Sequence, residues 1–250
     1  MKFNIDIKGL DAATDALVGR FSERRLNAVA ATALTRTARE IEANWKRKLE
    51  SSFDRPTAAT TKATVVKRAT AADPVAEVFI RDQARGTPPI EWLGVEESGG
   101  DRRIKRFEQA LQSSGAMPRG MRAVPGVAAK LDGFGNVSKG QIIQVIAQLG
   151  AQYSPGYQRV ISRSDVKRAQ KALLSGRAYV AIQRRQGRLK PGIYERGKGG
   201  ILSPVFFFVG TATYRRATNL IEEGTRVANE QLAAQVARAL GQSAERLAQR

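Results

Sequence analysis

Residues 189–209 read LKPGIYERGKGGILSPVFFFV, which is two apolar segments separated by a glycine-rich stretch. The segment from Leu189 to Tyr194 leads toward a tip at 197–200, and Ile201 to Val209 returns from it. Apolar runs of about four to eight residues bounded by turn residues are typical of buried strands. The stretch therefore predicts a β-hairpin, and a further strand is predicted just before it at Tyr179–Ile182.

Two long amphipathic helices are predicted on either side of this hairpin. Apolar residues recur at helical spacing from Leu26 to Phe53, after a possible cap at Ser22, and again from about residue 213 nearly to Arg250. Shorter elements are a strand at 2–8, a helix at 11–19, a strand at 75–80, a basic helix at 101–112, a helix at 139–149 capped by Ser138, and a helix at 165–174. Together they predict an α+β fold, with two long helices packed on a small, mostly antiparallel sheet.

Residues 96–140 differ in character from the rest of the chain, because glycines, serines and prolines surround one short basic helix. We interpret 1–250 as a single discontinuous α+β structural domain in which 96–140 form an inserted extended and helical arm. The arm is expected to contact neighbouring subunits. The residues predicted for that contact are Arg102, Arg103, Ile104, Phe107 and Leu111.

The chain is strongly basic, with 42 Lys and Arg against 23 Asp and Glu and a net charge of +19. Residues 159–198 hold twelve of the basic residues and only two acids. A field of this sign favours a polyanionic partner, either nucleic acid or an acidic protein surface. The residues predicted to face DNA or such a partner are Arg184, Arg185, Arg188, Lys190, Arg196 and Lys198.

The composition also excludes several kinds of site. The chain has no cysteine and no histidine, which excludes disulfides, thiolate nucleophiles and Cys/His zinc sites and removes the commonest general base. We predict no catalytic residue, no cofactor and no metal. The sequence lacks a run of about 18 apolar residues, so no membrane partner is expected, and no signal peptide is apparent.

GIYERGKG at 192–199 partly matches two enzyme motifs, and both matches are incomplete. A phosphate-binding loop needs a hydroxyl after Lys198 and a helix behind it, but Gly199 follows and then a predicted strand. A GIY-YIG nuclease would pair 192–194 with the triplet at 208–210, which lacks its tyrosine. It would also need Arg215 or Arg216 and a metal-binding Glu230 or Glu245. A Mg²⁺-dependent nuclease of this kind is kept as a minor alternative.

Longer motifs carry a resemblance to known proteins. VPG at 124–126 followed by KLDGFGNVSKGQI at 130–142 resembles a segment of phage and prophage structural proteins. KPGIY at 190–194, PVFFFV at 204–209 and YRR at 214–216 resemble a second block of the same proteins. In the N-terminal half, IKGLDAA at 7–13 and KATVVKRATAADPVAEVFI at 62–80 are similar to the minor tail protein Z family of lambda-like phages.

The resemblance implies a virion component, made in the host cytoplasm, that completes the tail or joins it to the head at the neck. Such a protein would assemble as a ring around the DNA path. Its partners would be further copies of itself, other tail or connector proteins, and double-stranded DNA in the channel. It would need no cofactor. The first alternative is a free nucleic-acid-binding protein, and the second is the nuclease above.

Overall fold

The computed structural model describes residues 1–5, 23–84, 86–151, 164, 166–167, 170–171 and 178–249. Its helices are α1 Glu23–Ser52, α2 Ala58–Thr61, α3 Pro89–Ser98, α4 Arg106–Ser113, α5 Lys139–Gln148 and α6 Leu220–Ala248. Its strands are β1 Lys2–Ile5, β2 Thr64–Lys67, β3 Ala76–Ile80, β4 Gly100–Asp101, β5 Arg122–Pro125, β6 Ala178–Ile182, β7 Gly192–Arg196, β8 Leu202–Val209 and β9 Thr213–Tyr214. The α+β prediction is confirmed. The predicted helix at 11–19, the Ser22 cap and most of the helix at 165–174 lie outside the described residues.

The chain divides into two compact units. The first unit is Met1–Gly100 together with Arg215–Arg250, and the second unit is Asp101–Tyr214. The single discontinuous domain with an arm at 96–140 stays a prediction. The compact segment inserted into the first unit is longer than that arm, because it continues to Tyr214.

The first unit packs α1 and α6 together and against an antiparallel sheet of order β1-β3-β2. The helical periodicity of α1 is confirmed, since its apolar face supplies Ile41, Trp45 and Leu49, all fully buried. Gly224 lets α6 approach α1 closely. A Cβ at that position would lie 3.2 Å from the indole nitrogen of Trp45, so even alanine would be crowded there.

Helix α6 begins at Leu220 and not near residue 213 as predicted. The carboxylate of Glu97 accepts hydrogen bonds from the N–H groups of Leu220 and Ile221 at 2.8 and 3.2 Å and from the Thr218 hydroxyl at 2.7 Å. It therefore caps the helix from a distant part of the sequence. Tyr214 fits the helical spacing but lies in strand β9.

Helix α3 was missed by the sequence prediction, because Pro88-Pro89 resembles a break in the chain. Pro89 is the first residue of the helix, where a missing N–H removes no helical hydrogen bond. The short strands β2 and β5 were also missed, and the basic helix predicted at 101–112 begins only at Arg106. No helix in the described ranges is both long and apolar enough to cross a membrane.

The second unit contains a four-stranded antiparallel sheet of order β5-β8-β7-β6. The predicted hairpin is its centre, with β7 and β8 joined by a 3₁₀ turn at Lys198–Gly200. Gly192 is required by packing, because a Cβ there would lie 2.2 Å from the carbonyl oxygen of Phe206 in β8. The predicted helix α5 is confirmed, and the Ser138 hydroxyl accepts the N–H of Gln141 as its cap.

Candidate basic interface

The six basic residues predicted to form one surface lie at two opposite ends of strand β7. In the β6–β7 pairing, Ile182 is opposite Gly192 and Ala178 is opposite Arg196. Arg184, Arg185, Arg188 and Lys190 belong to the loop that leaves the first of these ends. Arg196 and Lys198 belong to the other end, about 13 Å away along the strand at about 3.3 Å per residue. The four loop residues and the two residues near the tip therefore form two separate groups, and their facing DNA or a partner stays a prediction.

The loop at 183–190, called here the basic loop, is held in a tight turn. Gln186 and Leu189 exchange two backbone hydrogen bonds of 3.1 and 3.0 Å. Gly187 between them has a φ of 59°, in the left-handed region that favours glycine. The base of the loop is fixed by the buried Tyr194, whose hydroxyl donates to the carbonyl of Lys190 at 2.7 Å. These hydrogen bonds thus fix the backbone from which the exposed arginines of the loop extend.

The cationic side chains of the basic loop have no carboxylate partner in the described part of the chain. Arg184, Arg185, Arg188 and Lys190 are all exposed, and none has a described carboxylate oxygen within 4.0 Å. Within the loop itself there are four cations and no acid. Unpaired, flexible cations of this kind suit phosphate oxygens, which they contact without reading base sequence.

The charge of the chain is divided unevenly between the two units. The second unit holds 20 Lys and Arg against 5 Asp and Glu, a net charge of +15. The first unit holds 22 against 18, a net charge of +4. Most of the field that favours a polyanion therefore arises from the second unit.

One of the five acids of the second unit is in its interior. Glu108 is fully buried and forms an ion pair with Arg102, at 2.5 and 2.8 Å. It also accepts the backbone N–H groups of Ala123 at 2.7 Å and Lys105 at 2.6 Å. Burial alone would lower the pKa of Arg102, but the hydrogen bonds and charge of Glu108 raise it above the ordinary value. This cluster joins α4 to β5 and keeps the carboxylate of Glu108 away from the surface.

The arm residues predicted to contact a neighbouring subunit are largely inside the second unit. Phe107 and Leu111 lie in its core, with the Phe107 ring 5.4 Å from that of Phe206. Arg102 is buried against Glu108, Ile104 is half-buried and only Arg103 is exposed. The prediction is wrong for Phe107, Leu111 and Arg102, because an amphipathic pattern cannot distinguish the chain's own core from a partner.

Several residues considered for enzyme motifs belong to structural contacts or to strands. Arg226 binds Glu230 through both carboxylate oxygens, at 2.8 and 3.0 Å. Gly192-Ile193-Tyr194 form the central strand β7, and the segment after Lys198 continues as strand β8. Among the described residues, no group of three or more Asp, Glu, Cys or His side chains is placed to hold a metal ion.

Comparison with known proteins adds no further constraint on the site. Neither a family model, nor a curated protein, nor a solved structure matches the chain. The resemblance to phage structural proteins therefore stays a hypothesis that depends on the quoted motifs. The interpretation of the basic loop depends on its own geometry and charge.

Proposed function

We propose that this chain is a non-enzymatic structural protein of a phage particle, at the tail-completion or head–tail joining position. It assembles as a ring around the DNA path, and its second unit faces the DNA. The observation that carries the proposal is the division of charge between the two units. The first unit has a net charge of +4, whereas the second has +15 and includes the basic loop, whose cations have no described carboxylate partner.

The chemistry of the basic loop matches what a DNA channel requires. A channel must accept duplex DNA of any sequence. Contacts to phosphates are therefore useful there, and contacts to base edges are not. Cations on a tight turn meet this need, because their long side chains adapt to the phosphates while the backbone stays fixed. Neutralising phosphates also releases condensed counterions, which favours binding most strongly at low salt.

The motifs behind the phage resemblance coincide with ordered parts of the second unit. KLDGFGNVSKGQI includes a hydrogen-bonded loop and the start of α5, and KPGIY leads from the basic loop into β7. The resemblance that supports the proposal is one of sequence, and it depends on these motifs.

A free nucleic-acid-binding protein is the second candidate, and the same unpaired basic loop favours it. The two candidates differ in assembly. Binding of duplex DNA by the isolated monomer, with a steep salt dependence and no oligomer at any concentration, would favour the free binding protein.

The proposal is tested in a phage that carries this gene. Arg184, Arg185, Arg188 and Lys190 are changed together to Glu, and the control changes four exposed cations of the first unit to Glu, namely Arg39, Arg47, Lys62 and Arg68. We expect the basic-loop variant to yield no DNA-filled infectious particles and the control to yield them. Normal particles from the basic-loop variant would remove the loop from the account.

A further inference from the structure

The outer end of the basic loop is a two-residue hairpin turn. The paired Gln186 and Leu189 leave Gly187 and Arg188 as its two central residues, called here the apex. Glycine with a positive φ at the first central position is the arrangement of a type II′ turn. Residues 183–188 are all exposed, and a Cβ at Gly187 would have no other group within 4 Å. The apex therefore projects from the loop, and only one of its two residues carries a side chain.

Two arginine side chains belong to this apex. Arg188 is one of its two residues. The Nε of Arg185 donates a hydrogen bond of 3.1 Å to the carbonyl of Gly187, which places the Arg185 guanidinium beside the peptide that joins Gly187 to Arg188. Neither arginine has a described carboxylate oxygen within 4.0 Å. One unpaired cation is thus held at the same peptide from which the other extends.

The remaining two cations of the basic loop lie on its two arms. Arg184 is on the arm that enters the turn, and Lys190 is on the arm that leaves it, where its carbonyl is fixed by the hydroxyl of Tyr194. The loop therefore carries two cations at the apex and one on each side. A groove of duplex DNA has a matching layout, because each groove is bordered by two rows of phosphates.

The dimensions of the turn distinguish between the two grooves. The minor groove is about 6 Å wide. Two paired backbone segments are already about 4.8 Å apart before their side chains are added, so the turn itself stays outside that groove and single side chains enter it. The major groove, about 12 Å wide, admits a two-stranded ribbon, but arginine there recognises guanine in particular. A protein that must accept any sequence gains nothing from such recognition.

The residue type also favours the minor groove. Three of the four cations of the basic loop are arginine. The guanidinium is planar and more weakly hydrated than an ammonium group, and the negative potential of a narrow minor groove attracts it. Proteins that wrap DNA of any sequence insert arginine into the minor groove without base-specific contacts. Minor-groove insertion is therefore compatible with a DNA channel.

We propose that Arg185 and Arg188 enter the minor groove of duplex DNA while Arg184 and Lys190 contact the phosphates on its two sides. The inference rests on the proposed function, and it names the groove that the basic loop recognises. Every duplex is bound. Binding is tightest where the minor groove is narrow and free of the guanine 2-amino group.

The test is fluorescence anisotropy of the full-length protein with three duplexes that differ only in a central tract of A·T, G·C or inosine·C pairs. Inosine lacks the 2-amino group of guanosine, so an inosine·C pair resembles G·C in the major groove and A·T in the minor groove. We expect the A·T and inosine·C duplexes to bind alike and at least about fivefold more tightly than the G·C duplex, the lower end of the effect of one mismatched base pair.

A charge-conserving variant tests the role of arginine. Arg185→Lys with Arg188→Lys keeps the number of phosphate-attracting charges, so the slope of log K against log salt should be maintained while the preference among the three duplexes is lost. The matched control is Arg39→Lys with Arg47→Lys in the first unit, which should keep the preference. Circular dichroism shows whether each variant retains the fold.

The outcomes separate this inference from the proposed function. Equal affinity for the three duplexes, or a preference for G·C, overturns the inference and leaves the phosphate contacts in place. An inosine·C duplex that binds like G·C assigns recognition to the major groove and also overturns it. A lysine variant that discriminates like the wild type overturns the role of Arg185 and Arg188. A wild type that binds none of the duplexes overturns the proposed DNA contact itself.

Discussion

In the first unit Glu77 lies between Lys2 and Lys67, with ion-pair distances of 2.8 and 3.3 Å. In the second unit the cations of the basic loop meet no carboxylate within the described residues, and Glu108 is buried in the interior. The first unit is therefore close to charge balance, and at Glu77 it pairs opposite charges within its own fold. The other keeps a field that only an external anion can neutralise.

This difference separates stability from binding. Self-repulsion within a unit of charge +15 opposes folding, and a bound polyanion relieves it. The first unit has little to gain from such a ligand, because its charge is already near balance. We therefore expect substitutions in the two units to affect different measurements.

The largest effect on folding is expected at the buried ion pair of the second unit. Glu108→Ala leaves the Arg102 charge and two backbone N–H groups buried without their acceptor, which costs about 3–5 kcal/mol. Urea unfolding and hydrogen exchange of the second unit would measure the loss. Glu230→Ala, an exposed carboxylate in the first unit, is the control and should unfold like the wild type. Equal stability of the two variants would show that the buried pair contributes little.

The next effect concerns DNA affinity and not folding. Replacing Arg184, Arg185 and Arg188 with Gln removes three potential phosphate contacts, so the slope of log K against log salt should fall by about 3. Affinity for a duplex near physiological salt should fall about a hundredfold on the same relation. Fluorescence anisotropy at several salt concentrations would measure both quantities.

The matched control for DNA binding is Arg39→Gln with Arg47→Gln and Lys62→Gln, which removes the same charge from the first unit. A purely global charge effect would weaken binding equally in both variants. That result would contradict the assignment of binding to the basic loop.

A smaller effect is expected at the start of α6. Glu97→Ala removes the acceptor of the Leu220 and Ile221 N–H groups, and the loss of a helix cap costs about 0.5–2 kcal/mol. Faster hydrogen exchange at these two amides would show it. Glu97→Gln keeps one acceptor oxygen and should lose less. Unchanged exchange in Glu97→Ala would mean that the carboxylate does not fix the beginning of the helix.

The smallest effect is a pH dependence confined to the first unit. The hydrogen bond from Lys2, aided by Lys67 and opposed by burial, holds the pKa of Glu77 below its ordinary value of 4.5. Folding therefore favours the carboxylate, and its contribution is fully present well above pH 4.5 and is lost as the pH falls through the lower folded-state pKa. Thermal unfolding of Glu77→Gln should show a shallower acid-side loss than the wild type. Identical acid-side profiles would contradict the assignment.

The sequence predicted the elements whose signals are local. Helix α1 follows from its apolar spacing, the β7–β8 hairpin from its glycine tip, and α5 from its Ser138 cap. The α6 start was missed because its cap, Glu97, lies more than a hundred residues earlier in the chain. Long-range caps of this kind leave no periodic pattern.

The candidate site was predicted in composition but not in arrangement. The basic residues of the loop were found from the charge of the sequence alone. The sequence did not show that Arg196 and Lys198 lie at the opposite end of β7 from the loop residues. Burial of Arg102 and Glu108 could not be foreseen, since a basic segment with one acid resembles a solvated helix. The exposure of Phe134 depends on the hydrogen bonds by which Asp132 and Gln141 fix the loop 126–138. The spacing of apolar residues in the sequence does not predict such hydrogen bonds.

The central claim is tested most directly by electron cryomicroscopy of particles produced by a phage or prophage that carries this gene. The account predicts a ring of this chain at the neck or tail end, with the basic loop toward DNA. A particle map at side-chain detail that contains no density for this chain would contradict the account.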